Sequence, residues 1–263
     1  GDHIYKMNYN EMLKFHKSKG ADLTVAHIDV PIEEASRFGI LNTMSDLSVS
    51  EFVEKPEKPI STKASMGIYI FNWSQLKLYL EKCEQAEDTS YDFGKDVIPM
   101  MLADGKKIFA YPFKGYWKDV GTIESLWQAN MDLLSNADNF CIYDPLWRIY
   151  CRHYESMAQY IGPKAKLSNS MISEGSTVKG CVKESVVSSG VYINEGAEIV
   201  NSVIMKNAVL GKNAKVYNSI VAEDAVIGEK AIVGHENIEV GKDMITVVAN
   251  KDVVGPNEIF KKM

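Results

Sequence analysis

Four short runs in the first half of the chain combine carboxylates with lysines, aromatics and glycines. The first is Gly1-Asp2-His3. The pattern around it places Asp2 at a strand's C-terminal end, ahead of a helix, and open α/β sheets bind ligands at that edge. A carboxylate there suits Mg²⁺, which takes hard oxygen ligands and bridges substrate phosphates. A helix N-cap uses the same residue type. The second run, Glu51-Phe52-Val53-Glu54-Lys55-Pro56, closes a strand. Glu54 can accept sugar hydroxyls and Lys55 can face a phosphate as a compact point charge; a solvated charge pair before a Pro-ended strand is the bland alternative. The third, Tyr91-Asp92-Phe93-Gly94-Lys95-Asp96, precedes a helix, which Asp92 either caps or leaves in order to bind a sugar hydroxyl. The fourth is Gly115-Tyr116-Trp117-Lys118-Asp119-Val120-Gly121-Thr122. If Asp119 points back towards Asp2, two carboxylates from separate strand ends form a site for metal-assisted phosphoryl chemistry. Otherwise the run is a surface turn with Trp117 packed beneath it.

The elements that would carry these runs follow from periodicity. Tyr9 to Lys19 is amphipathic at helical spacing, with Tyr9, Met12, Leu13 and Phe15 apolar. Asp22 to Ile28, Leu47 to Val53, Ala64 to Phe71 and Lys107 to Pro112 read as strands, with Ala64 to Phe71 apolar enough to be central. Ser74 to Lys82, Asp96 to Asp104 and Thr122 to Leu134 read as helices. Strands alternating with helices predict an α/β sheet with helices on its faces.

Beyond residue 160 the texture changes. A four-residue phrase recurs at Asn169-Ser170-Met171-Ile172, Glu184-Ser185-Val186-Val187, Asn201-Ser202-Val203-Ile204 and Asn218-Ser219-Ile220-Val221, its serines 15, 17 and 17 residues apart. Within it Val187, Ile193, Ile199, Ile204, Leu210, Val216, Val221, Ile227, Val233 and Ile238 follow in steps of five or six. Each step supplies one short strand and one inward aliphatic, and three steps make a triangular coil. Gly and Asn at the corners tolerate left-handed backbone. A coil cannot bury its own apolar side, so stacking makes the core. The segment resembles the left-handed parallel β-helices, and its first coil, two residues short, is expected to hold an irregular corner. Ile245-Thr246-Val247-Val248 is expected to add a closing strand, and the aromatics from Phe140 to Tyr160 to pack as a linker.

Bulk composition excludes some classes. The 263 residues are 46% hydrophobic and 24% charged with net charge −6, and no long basic run is present, so nucleic acid is not an expected partner. No apolar stretch approaches the roughly 20 residues that cross a bilayer. Cys83, Cys141, Cys151 and Cys181 form no CxxC pair, which predicts reduced thiols in a cytoplasmic protein.

Taken in order, six blocks resemble the ADP-glucose pyrophosphorylases (glucose-1-phosphate adenylyltransferases). They are Gly1-Asp2-His3-Ile4-Tyr5-Lys6-Met7, Ser36-Arg37-Phe38-Gly39, Phe52-Val53-Glu54-Lys55-Pro56, Ala64-Ser65-Met66-Gly67-Ile68-Tyr69, Asp92-Phe93-Gly94-Lys95-Asp96 with Ile98-Pro99, and Tyr116-Trp117-Lys118-Asp119-Val120-Gly121-Thr122. The resemblance implies an enzyme joining ATP and glucose 1-phosphate into ADP-glucose and pyrophosphate with Mg²⁺, for glycogen or starch synthesis. It implies Asp2 and Asp119 as metal ligands, and Asp2, Lys55 and Asp119 as the catalytic set. Glu54, Lys55, Ser65, Tyr69, Asp92, Phe93 and Trp117 would line the glucose 1-phosphate pocket. Expected domains are residues 1–140, the C-terminal part of a Rossmann-like nucleotidyltransferase domain, 141–160, a linker, and 161–263, a left-handed β-helix with its tail. The family's glycine-rich loop followed by Arg has no counterpart here, so the chain is expected to be a piece lacking the front of its catalytic domain and inactive alone. Asn8 stands where many relatives have Asp. The family also implies tetramers of like or mixed subunits and regulation by metabolites. The other readings are a non-catalytic regulatory subunit of the same assembly, disfavoured by the retained Lys55 and Asp119, and a β-helix acyltransferase, disfavoured because His235 is the only histidine past residue 160.

Overall fold

In chain order the first half contains β1 (His3–Tyr5), α1 (Tyr9–Lys19), β2 (Leu23–Asp29), α2 (Ile32–Ala35), β3 (Gly39–Thr43), β4 (Val49–Glu54), β5 (Lys63–Phe71), α3 (Trp73–Gln85), a π-helical turn (Phe93–Val97), α4 (Ile98–Ala103), β6 (Ile108–Pro112), β7 (Trp117–Asp119) and α5 (Ile123–Asp132). These come from a computed structural model that describes residues 2–135, 144–150, 156–236 and 245–261. The chain forms two compact units: Lys6–Gly115, and Gly1–Tyr5 together with Tyr116–Met263.

The Lys6–Gly115 unit is built on a five-stranded sheet of order β4-β3-β5-β2-β6. Ala64 to Phe71 was expected to be central, and β5 occupies the middle position. The sheet is mixed: β2 and β6 pair in parallel, whereas β2–β5, β3–β5 and β3–β4 are antiparallel. Two faces are covered. Leu23, Val25, Leu41, Phe52 and Ile108 pack with Tyr79 and Cys83 of α3 and Ile98 and Met101 of α4. On the other face α1 buries Met12 and His16, and His16 Nδ1 lies 2.8 Å from Thr24 Oγ1. Asn8 caps α1, its side-chain oxygen accepting the Asn10 N–H, and Gly20 ends it in the left-handed conformation. Asn and Asp serve equally at such a cap, so the Asn8 substitution is locally neutral.

The second unit contains the two-stranded antiparallel ribbon β1–β7, helix α5 and the stacked coils. Three all-parallel sheets of five, six and six strands make the coils, the arrangement expected of a left-handed β-helix. Val187, Ile193, Ile199, Ile204, Leu210, Val216, Val221, Ile227 and Val233 are all fully buried in one core. Ile238 lies outside the described residues. The serine phrase is a ladder between coils. Ser170, Ser185 and Ser202 each accept the backbone N–H of the serine one coil on, at 3.1–3.2 Å. Each hydroxyl donates to the carbonyl two residues earlier. The residue before each serine (Asn169, Glu184, Asn201, Asn218) turns the corner with positive φ. The irregular corner of the short coil lies between Thr177–Val178 and Cys181–Lys183, where Gly180 replaces a full turn. A Cβ on Gly180 would strike the Ala197 carbonyl oxygen and come within 3.0 Å of Asn194 O.

Thr246–Val248 does close the stack by pairing with Ser219–Val221, and two further strands, Val253–Val254 and Ile259–Phe260, extend the other two sheets. Of the linker aromatics, Phe140, Tyr143 and Tyr154 lie outside the described residues. Trp147 and Tyr150 were expected to pack but are exposed, at 44% and 87%, with the Arg148 guanidinium over the Tyr150 ring. Among the described residues no helix is long and apolar enough to cross a membrane, and Cys83 and Cys181 are free thiols.

Candidate active site

In the Lys6–Gly115 unit one row of the sheet runs across Glu54 in β4, Gly39 in β3, Ser65 in β5 and His27 in β2. Glu54 pairs with Gly39, and Ser65 pairs with His27, one step along from the Ile40–Ala64 pair. Side chains of one row share a face. Between Ser65 and Tyr69 the register shifts as β5 bulges at Gly67, whose φ is +68° and whose N–H donates to Ser65 Oγ at 3.2 Å. Beyond the bulge Tyr69 lies against Phe93. The two rings stack at 5.6 Å between centroids and 26° between planes, with Phe71 5.7 Å from Phe93.

Asp92 does cap the helical turn that follows it: its Oδ1 accepts the N–H groups of Gly94 at 2.7 Å and Lys95 at 3.0 Å. That leaves Oδ2 outside the cap. The Glu54 carboxylate is held against the backbone of two glycines. An added Cβ would lie 2.7 Å from Glu54 Oε2 at Gly39 and 2.6 Å at Gly94. Neither glycine has positive φ, so close approach rather than conformation requires them.

The electrostatics match this crowding. Burial and the nearby Asp92 charge raise the Glu54 pKa, and Lys55 and Lys95 oppose the rise. Burial also raises the Tyr69 phenol, a hydrogen bond with the Ser65 hydroxyl opposes the rise, and the Glu54 and Asp92 charges add to it. Two carboxylates, two lysines and an aromatic pair are therefore gathered from β4, β5 and the 92–97 turn. Lys55 itself has φ +48°, and its N–H donates to Phe38 O at 3.0 Å. Lys95, Gly39 and Gly94 were legible only as members of motif blocks. The signal for Lys95 is a cation three residues after a capping Asp.

The other carboxylates belong to the second unit. Asp2 was expected at the C-terminal end of a strand, ahead of a helix. It lies directly before β1 and ahead of α1, which Asn8 rather than Asp2 caps. Antiparallel pairing brings its backbone alongside the end of β7, because the start of β1 lies beside that end. His3 pairs with Asp119, and the Val120 N–H donates to Asp2 O at 3.0 Å. Asp119 Oδ1 accepts the Gly121 N–H at 3.1 Å, and His3 Nε2 lies 4.0 Å from the same oxygen. The His3 ring packs edge-on against Trp117 at 5.3 Å. Thr122 caps α5 with Ser125 in a reciprocal capping box, which fixes the turn after Asp119.

Asp2 and Asp119 offer hard carboxylate oxygens, and among the described residues no group of three or more His, Cys, Asp or Glu side chains is assembled. Two carboxylates completed by water and phosphate are the donor set Mg²⁺ ordinarily takes, so the residues present fit it.

Residues 1–136 match a family model described as nucleotidyl transferase, and residues 157–254 match one described as GlmU-like, C-terminal hexapeptide. The chain is 54% identical over 263 residues to the glucose-1-phosphate adenylyltransferase of Clostridium perfringens (strain 13 / Type A), covering 100% of this chain and 65% of that protein. It is 59% identical over 203 residues to the enzyme of the same name from Clostridium botulinum (strain Alaska E43 / Type E3), covering 77% and 53%. Acetivibrio thermocellus has another such relative, 52% identical over 205 residues, covering 78% and 48%. The chain thus spans about half to two-thirds of the length of these curated relatives.

Proposed function

Because this chain belongs to the nucleotidyl transferase family, we propose that it carries the glucose 1-phosphate and metal-binding parts of a glucose-1-phosphate adenylyltransferase, which forms ADP-glucose and pyrophosphate from ATP and glucose 1-phosphate. The observation that carries this reading is the Glu54 and Asp92 pair beside the Tyr69–Phe93 stack.

The reaction is a direct displacement. A phosphate oxygen of glucose 1-phosphate forms a bond to the α-phosphorus of ATP as the bond to pyrophosphate breaks. No enzyme nucleophile is needed, and the protein's contribution is positioning and charge. Glu54 and the free oxygen of Asp92 accept sugar hydroxyls, and crowding two carboxylates makes each hydroxyl donor more valuable. The aromatic stack offers an apolar wall to the sugar's C–H faces. Ser65 positions the Tyr69 hydroxyl. Lys55 and Lys95 draw the sugar phosphate and offset its charge. Asp2 and Asp119 would hold Mg²⁺, which when bound adds positive charge at the phosphates. Val209, Val226 and Val253 stand in register and exposed on one outer face of the coils, which supports assembly with like subunits; Val226→Glu should then lower the mass seen by light scattering.

Calorimetric titration of residues 1–263 with glucose 1-phosphate tests the reading. Binding should be lost or weakened about 10- to 100-fold in Lys55→Ala, as expected for a charge-assisted contact. Equal binding by wild type and Lys55→Ala would overturn it. In the same polypeptide pyrophosphate-dependent ATP formation from ADP-glucose should be absent, because no glycine-rich loop followed by Arg occurs in its sequence.

A further inference from the structure

The ribbon β1–β7 has two differently used faces. His3, Trp117 and Asp119 share one, where the His3 ring meets Trp117 and approaches Asp119. Lys118 alternates to the other, and there with Tyr116 it is gripped by a single carboxylate. Asp132, near the end of α5, accepts from Tyr116 Oη at 2.8 Å, from Lys118 Nζ at 2.9 Å and from Gln128 Nε2 at 2.8 Å. Burial works against its charge, yet Gln128, Lys118 and Tyr116 hold the carboxyl below the usual range. Lys118 and Asp132 are 30% and 14% exposed, so the pair is shielded from solvent more than an ordinary surface bridge.

The same helix is fixed at its other side to the coils. Trp127 Nε1 donates to Asn201 O at 2.9 Å, and Leu126, Trp127 and Met131 pack on Val203, Ile220 and Ile245. A three-residue strand paired only with another three-residue strand has little stability of its own. Its height and rotation must come from its neighbours, and Asp132 reaches it from α5.

We propose that Asp132 is the positioning residue of the metal-binding strand: by holding Tyr116 and Lys118 on one face of β7 it sets where Asp119 and Trp117 stand on the other, and it ties that placement through α5 to the stacked coils. This rests on the reading of Asp119 as a metal ligand. It also gives Lys118 a structural task and removes it from the cations available to substrate phosphate.

The test is amide hydrogen exchange, read by mass spectrometry, on residues 1–263 carrying Asp132→Asn, Asp132→Glu or Lys118→Met. Asp132→Asn should speed exchange in segments 2–7 and 116–122 about tenfold, as loss of a charge-assisted contact implies, while residues 203–233 keep their protection. Asp132→Glu should restore most of the difference. Lys118→Met keeps the Tyr116 contact and should give a smaller increase in the same segments, which covers the case of a poorly folded Asp132→Asn protein. No change in the ribbon, or an equal increase throughout the coils, would overturn the proposal. Titration with Mn²⁺ alone, followed by electron paramagnetic resonance, separates the two readings. Wild type should bind, Asp119→Asn should not, and Asp132→Asn should bind several-fold more weakly with rescue by Asp132→Glu. If Asp119→Asn binds like wild type, the metal reading falls while the exchange comparison still decides the clamp. Full Mn²⁺ affinity in a folded Asp132→Asn protein counts against the clamp.

Discussion

Gly94→Ala separates stability from ligand binding in a way the structure makes quantitative. Gly94 is the second residue of the 93–97 turn, and its backbone is one that any residue can adopt. A methyl there would sit 2.6 Å from Glu54 Oε2, 3.1 Å from Phe52 Cε1 and 3.2 Å from Asp92 Oδ1. The closest of these atoms is the far end of a flexible carboxylate, so Glu54 moves rather than the sheet. Overpacking usually costs about 1–3 kcal/mol, and the low end applies where a mobile group yields. Replacing a helical glycine by alanine returns about 1 kcal/mol. The melting temperature should therefore change by only a few degrees. Binding behaves otherwise. A carboxylate displaced from its sugar hydroxyls forfeits a charged hydrogen bond of about 1.5–3 kcal/mol, which is roughly a 10- to 150-fold rise in Kd for glucose 1-phosphate. Gly105→Ala is the matched control: nothing lies within 4 Å, but φ is +67°, so it should lose about 1 kcal/mol of stability and no affinity. Calorimetric titration and thermal melts of the three proteins check the pair. A folded Gly94→Ala protein with wild-type affinity would refute the placement of Glu54 in the sugar pocket.

Other outcomes follow from the same geometry. Gly180→Ala should be severe, about 3 kcal/mol or more in a urea melt, because the methyl would meet the Ala197 carbonyl in the next coil and backbone cannot yield. Ser202→Ala should cost about 1–3 kcal/mol by leaving the buried Ser219 N–H without its acceptor. His27 is 3% exposed, and burial lowers its pKa from 6.5, with Asp29 raising and Lys63 lowering it. A depressed histidine binds its proton more readily when unfolded, so its contribution is present above pH 6.5 and is lost as pH falls below that value; His27→Leu should flatten this slope in acid melts. Glu54 titrates above its usual range, so glucose 1-phosphate affinity should begin to fall at a higher pH than an ordinary glutamate would give, and the Glu54→Gln protein should lack that inflection.

What could be read from residues alone was whatever repeats or is local. The inward positions from Val187 to Val233 were legible because every coil presents the same pattern, and the 15-residue serine spacing announced a short coil. Helix α1 matched its periodicity from Tyr9 to Lys19. Strand β3 was missed: Gly39–Thr43 is short, starts on glycine and carries no clear alternation. The ribbon formed by β1 and β7 was missed because antiparallel pairing with a strand more than a hundred residues later leaves no mark nearby. The same holds for Asp132, whose partners Tyr116 and Lys118 lie across a turn and a helix. The motifs named Glu54, Asp92 and Tyr69, but only tertiary structure set them against one another, through the bare backbones of Gly39 and Gly94. Periodicity is a property each segment carries by itself, whereas a site depends on which segments pair and how closely they approach, and those are decided by packing between residues far apart in the chain.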